Sequence, residues 1–128
     1  MRVDELETPV PVVDIDRLEA NISRLQTYLN KYGIANRPHI KTHKIPQIAQ
    51  MQMDAGAVGI TCQKVSEAEV MADAGFRDIF IPYNIVGEKK LARLMNLAKR
   101  VTVSVTADSA VVIRGLSESD TRLSAGQG

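Results

Sequence analysis

The 128-residue sequence predicts an α/β fold, a partial (β/α)8 (TIM-type) barrel of about four βα units that does not close on its own. Three observations carry that expectation. Short Val- and Ile-rich runs alternate with stretches of helical periodicity. The connections between them are too short for anything but crossovers between parallel strands. The pattern D-A-G-x-x-x-I also occurs twice, at 54–60 and again nineteen residues later at 73–79. Each copy reads as a helix end, a Gly cap and a strand entry, and units this compact recur in barrels whose helices pack on their own strands. A doubly wound sheet is the alternative. It favours a glycine-rich phosphate turn after its first strand, and neither G-x-G-x-x-G nor G-x-x-x-x-G-K is present.

Residues 8–16, TPVPVVDID, are Val-rich and bounded by Pro, which suits a short strand or extended lead-in. Asp16 is placed to cap a helix over 17–31, because its carboxylate can accept free backbone N–H groups of the first turn. Leu18, Ile22, Leu25 and Leu29 recur at four, three and four, the spacing of one buried helical stripe, and Gly33 ends it. A short strand is expected over 37–41 and a helix over 46–55, with Pro46 in the first turn, where its missing N–H is not needed. Gly56 caps that helix and 58–62 is the next strand. A helix over 66–74 follows, with Ser66 and Glu69 spaced as a capping box. The remaining elements are a strand over 78–83, an amphipathic helix over 88–99 and a strand over 101–107.

From Ser117 the composition shifts to SESDTRLSAGQG, with one Leu in twelve residues. Residues 1–117 are therefore expected to form the barrel portion and 118–128 a polar, disordered or atypical tail. About four strands make roughly half a barrel, which leaves open sheet edges. The chain is expected either to be a fragment of a longer protein or to close its sheet through a partner.

A net charge of +1 with 24% charged residues is an ordinary balance and argues against a nucleic-acid surface. The single Cys62 excludes an intramolecular disulfide framework and suits a reducing compartment. The N-terminus MRVDELETP carries acids where a signal peptide wants basic and then apolar residues, and no apolar run approaches the ~18 residues of a membrane span. A soluble, cytoplasmic protein is the expectation.

The chemistry is concentrated in RPHIKTHK, residues 37–44, which holds both histidines and five basic or imidazole side chains in eight positions. In an extended strand alternate side chains share a face, so Arg37, His39 and Lys41 are expected on one side, with Pro38 and Ile40 toward the helix layer. In a barrel the polar set faces the lumen, near the C-terminal mouth where such folds react. Desolvation and neighbouring positive charge would lower the pKa of a lumenal lysine and leave a nucleophilic amine, as a Schiff base with an aldehyde requires. A solvated strand end that binds nothing accounts for these eight residues equally well. A nucleic-acid patch lacks aromatic residues in the stretch. A metal site from His39, His43 and Cys62 is disfavoured, because two histidines four apart along a strand-to-loop segment do not converge as they do on a helix. Cys62 reads as a buried strand cysteine.

TPVPVVDIDRLEANI, RPHIKTHK and DAGAVGITCQKVSEAEVMADAGFRDIFIPYNIVG together resemble the N-terminal half of the D-threonine aldolase and D-serine dehydratase family. These are fold-type III pyridoxal phosphate enzymes related to alanine racemase, and the resemblance runs from about Thr8 to Ser117. It implies that Lys41, two residues after the RPH histidine, is the catalytic residue that carries the Schiff base. Lys44 falls beyond the strand and is structural. His39 and Arg37 are implied as cofactor neighbours, with His39 tuning Lys41 or touching the cofactor. Gln63 and Tyr83, at strand C-terminal ends, line the same mouth. The implied reaction activates a D-configured β-hydroxy amino acid for Cα–Cβ cleavage or loss of the β-hydroxyl. The family also implies a divalent metal in a C-terminal domain, whose ligands have no counterpart here, and a homo-oligomer. The chain alone is expected to be inactive. A racemase-type or non-catalytic pyridoxal phosphate barrel, and a half-barrel assembly module, are the alternatives.

Overall fold

The computed structural model describes residues 2–125. Its elements run α1 (Ile15–Lys31), α2 (Pro46–Asp54), β1 (Ile60–Thr61), α3 (Val65–Asp73), β2 (Asp78–Ile81), α4 (Glu88–Ala98), β3 (Thr102–Val105) and α5 (Ala110–Ala125). The strands form one open parallel sheet in the order β1-β2-β3, joined by crossovers through α3 and α4. This is the expected α/β class, a portion of a (β/α)8 barrel that is not closed. The fourth expected strand is reduced to a single parallel bridge between His39 and Thr61 on the free edge of β1.

The D-A-G repeat explains how β1 and β2 come to lie together. After α2, the N–H of Gly56 bonds the Met53 carbonyl and that of Ala57 bonds Gln52. After α3, Gly75 bonds Ala72 and Phe76 bonds Met71 in the same pattern. Both are paired C-terminal closures that need a positive φ, found at 118° for Gly56 and 106° for Gly75. The same exit geometry delivers the same register: Ile60 and Ile79, the last residues of the two copies, are cross-strand partners.

The core lies between the helices and one face of the sheet. Ile60, Ile79 and Ile81 are fully buried there against Met71, Leu94 and Leu97, and Ile40 joins them from the lead-in to β1. Residues in register share a face, so Thr61, Phe80 and Ser104 form a row on the opposite side, with Asp78 and Thr102 below it.

Several local expectations are corrected. The cap of α1 is Asp14, whose side chain accepts the Arg17 N–H at 3.1 Å, and Asp16 lies inside the first turn. The Leu18, Ile22, Leu25 and Leu29 stripe is not a buried one, since Leu25 is 51% exposed. The buried residue of α1 is Gln26, held by Asn36 and Asn30 and packed over Gly56. Ser66 and Glu69 make no capping box: α3 starts one residue earlier, after Lys64, and Glu69 is taken by Arg93. In place of a polar tail from 118, helix α5 continues to Ala125, and residues 126–128 lie outside the described part. Among the described residues no helix is long and apolar enough to cross a membrane.

Candidate functional site

The polar face of the sheet is built around the lead-in to β1. Thr61 donates its N–H to the Pro38 carbonyl at 2.8 Å and its hydroxyl to the Arg37 carbonyl at 3.1 Å, which lays residues 37–39 alongside β1. Alternation then works as far as His39. Arg37 points across the polar face, Ile40 turns into the core, and the chain contracts into a 3-10 turn over Ile40–Thr42. Lys41 therefore stands on a turn and not on a strand, a correction to the extended reading of 37–41. It still adjoins His39, because its backbone N–H is accepted by His39 Nδ1 at 3.3 Å.

That bond assigns the imidazole. With Nδ1 accepting, Nε2 carries the ring hydrogen, and Nε2 is buried with no hydrogen-bond partner of good geometry. Burial, and after it the charge of Lys41, pulls the His39 pKa below its ordinary value, against smaller upward pulls from Glu67 and the Thr61 backbone. His39 is thus a neutral donor beside an exposed amine.

Arg37 is placed elsewhere. Its guanidinium grips Asp78 through both nitrogens, at 2.7 and 3.0 Å, at the N-terminal end of β2. It reaches Asp78 by passing over Gly59, where a Cβ would lie 2.1 Å from Nη1. The guanidinium holds the Asp78 carboxyl below its usual range, outweighing partial burial. Gln63 and Tyr83 are brought together at the other end of the sheet. The Tyr83 hydroxyl donates to Gln63 Oε1 at 3.3 Å, and both line a cavity of about 240 Å³ with Lys64, Ser66, Asn84 and Arg93.

Sequence reasoning missed Glu67. It is only 8% exposed. One carboxylate oxygen is ion-paired with Lys44 Nζ and the other accepts the Gln63 N–H at 2.8 Å. Burial would raise its pKa, but the Lys44 and Gln63 hydrogen bonds and the charges of Lys44 and Lys64 bring it below the ordinary value. A signal existed: Glu67 stands four residues before the buried Met71 and next to the buried Ala68. Asp78 was also without an assigned role.

Nothing converges on a metal among the described residues, where no group of three or more His, Cys, Asp or Glu is placed to hold one. His43 Nδ1 accepts the Ile45 N–H at 3.0 Å, and Cys62 is fully buried. Its thiol is pushed up to about 12, by burial and then by the Glu67 charge.

An open parallel sheet with helices on its apolar side and Lys41 and His39 at one edge has the layout of part of a (β/α)8 barrel. Comparison with known proteins makes this specific. Residues 13–126 match the family described as alanine racemase, N-terminal domain, and the chain belongs to that family. It is 45% identical over 105 residues to a D-threonine aldolase of an Arthrobacter species, covering 82% of this chain and 28% of that protein. It is 37% identical over 119 residues to a 3-hydroxy-D-aspartate aldolase of Paracoccus denitrificans (strain Pd 1222), covering 91% and 31%. The crystal structure of D-threonine aldolase from Filomicrobium marinum superposes with a TM-score of 0.91 at 42% identity, over 97% of this chain and 33% of that one. The chain thus spans about a third of the length of the relatives it matches.

Proposed function

We propose that this chain is the lysine-bearing part of a pyridoxal phosphate enzyme acting on D-configured β-hydroxy amino acids, of the D-threonine or 3-hydroxy-D-aspartate aldolase or D-serine dehydratase type. The observation that carries the reading is the pairing of exposed Lys41 with His39 at the edge of the parallel sheet. The residues fit the aldehyde end of such a cofactor. An exposed lysine adjoins His39 at the sheet edge, and the buried His39 Nε2 makes no hydrogen bond of good geometry within the chain.

When bound, the pyridoxal group supplies an aldehyde that captures amines and a ring that accepts electrons from bonds broken at the substrate Cα. The chain's own residues divide the remaining tasks. Lys41 holds the amine that captures the group, and His39 keeps its hydrogen on Nε2, directed away from the Lys41 backbone N–H that occupies Nδ1. Gln63 and Tyr83 orient one another beside the cavity at the strand ends, where the substrate or the ring would lie. Arg37, expected as a cofactor contact, is assigned instead to bracing β1 against β2 through Asp78. The divalent metal and the phosphate cradle of this reading belong to residues outside this chain, as does closure of the sheet, by further barrel strands or a second copy.

Reductive trapping tests it. The chain is incubated with pyridoxal phosphate, reduced with borohydride and mapped by peptide mass spectrometry. Modification concentrated at Lys41 and lost in Lys41→Arg is expected, without turnover of D-threonine by the chain alone. Modification spread evenly over exposed Lys31, Lys89, Lys90 and Lys99 would sink the reading.

A further inference from the structure

We propose that Glu67 is a positioning residue for Lys41: its buried carboxylate clasps the 3-10 turn that carries Lys41 to the C-terminal end of β1. The inference rests on the reading of Lys41 as the cofactor lysine.

Locally the turn is held by His39, which caps the Lys41 N–H, and by the His43 N–H on the Ile40 carbonyl. Neither bond fixes the residue that follows it. Ile40 is buried beneath it, but Lys41 and Thr42 are exposed, and the turn is followed by Lys44 at φ 54°, the one non-glycine residue with positive φ among those described. A side chain in that region is strained and persists only where its surroundings hold it. Two contacts do so. The Lys44 N–H bonds the Ile40 carbonyl at 2.8 Å, closing the turn, and Lys44 Nζ pairs with Glu67. The second carboxylate oxygen of Glu67 takes the Gln63 N–H, two residues past β1.

Glu67 therefore ties together three pieces of chain that meet at the strand ends: the Lys41 turn, the Gln63 corner and the start of α3. The residue suits the task. Its position in the first turn of α3 favours a carboxylate through the helix dipole. Its burial strengthens the Lys44 pairing relative to an exposed pair, and both oxygens are used. A neutral amide in its place keeps an acceptor for Gln63 but loses the charge that holds Lys44. The turn would then relax toward negative φ at Lys44 and carry Lys41 away from His39.

Two readouts in the 128-residue chain test this. The first is hydrogen exchange of the amides of residues 40–44, which needs no cofactor. The second is the share of borohydride-trapped pyridoxal phosphate found at Lys41 rather than at the other lysines. Glu67→Gln is expected to speed exchange across 40–44 and to lower the Lys41 share about ten-fold, the order of loss when a reacting group is displaced slightly from its place. Glu67→Asp, which keeps the charge, should restore part of the share. Where Glu67→Gln fails to fold, Lys44→Met removes the same ion pair from its half-exposed side and should move both readouts the same way. Unchanged exchange in a folded variant overturns the clasp. Wild-type preference for Lys41 that survives Glu67→Gln intact overturns the positioning role while leaving the Lys41 reading standing. A wild-type chain with no preference for Lys41 overturns that reading, and the positioning role with it.

Discussion

Gly59→Ala is the substitution whose effect can be worked most directly from the geometry. A Cβ at Gly59 would lie 2.1 Å from Arg37 Nη1, 2.9 Å from its Cζ and 2.8 Å from the Asp78 carbonyl oxygen. The guanidinium can swing away, but only by releasing Asp78, and the Asp78 carbonyl is sheet backbone that cannot. Forcing a methyl into a closed site costs about 1–3 kcal/mol. Loss of the ion pair adds at most about 1 kcal/mol, because the side chains are 30% and 41% exposed and screened by solvent. The lower entropy of an unfolded Ala returns about 0.4–1 kcal/mol. The net expectation is a loss of about 2 kcal/mol, read as a lower urea midpoint with an unchanged slope by circular dichroism. In an Arg37→Met background the same substitution should lose about half of that effect, since only the backbone contact remains. A Gly59→Ala chain within about 0.5 kcal/mol of the parent would refute the crossing of Arg37 over β1.

The other predictions concern pH, the thiol and the repeat. Glu67, Glu69 and Asp78 have lowered pKa values, so each contributes stability above its ordinary value of 4.5 or 3.8 that is lost as pH falls through the depressed one. His39 and His43 are also lowered, so the unfolded chain takes up their protons first, and stability should begin to fall below their ordinary value of 6.5. Urea midpoints measured on acidification should therefore decline in two stages, and a midpoint that rises between neutrality and the first stage would contradict both histidine assignments. Cys62, fully buried with its thiol pushed up to about 12, should react with an aromatic disulfide reagent only as the chain unfolds; prompt labelling in native buffer would contradict its burial. Gly75→Ala meets no atom within 4 Å but must hold φ near 106°, so a loss of about 1–2 kcal/mol, arising wholly from the backbone, is expected by the same urea assay.

Element order and strand direction were legible because they depend on local signals: the D-A-G closures, Pro46 in the first turn of α2 and the period of α4. What escaped is what depends on distant residues. Arg37 and Asp78 are 41 residues apart, and Lys44 and Glu67 are 23 apart, so no spacing rule pairs them. Lys41 was placed on a face by counting alternate residues, and the counting stopped being valid at Ile40, where burial of that side chain coincides with the contraction into a 3-10 turn. The helical stripe of α1 failed for a related reason. Periodicity says which residues share a side of a helix, not whether anything in the chain covers it, and here α2 is its main neighbour.

The strands carry a further signal that bears on function. A parallel sheet covered on both faces by apolar layers reads as continuous hydrophobic runs. β2 and β3, DIFI and TVSV, alternate instead. Ile79, Ile81, Val103 and Val105 face the helices, while Asp78, Phe80, Thr102 and Ser104 share the other side with Thr61. A chain that only had to pack its second face would be expected to put Val or Ile at these positions too. The row beside His39 places the Thr61 and Ser104 hydroxyls on either side of the Phe80 ring. Asp78 and Thr102 lie on the same face toward the Arg37 end, a composition that gains less as packing than Val or Ile throughout. A face of that composition is suited to a ligand, and its edge nearest the Lys41 turn is where the amine, the Nε2 donor of His39 and the Glu67 clasp all meet.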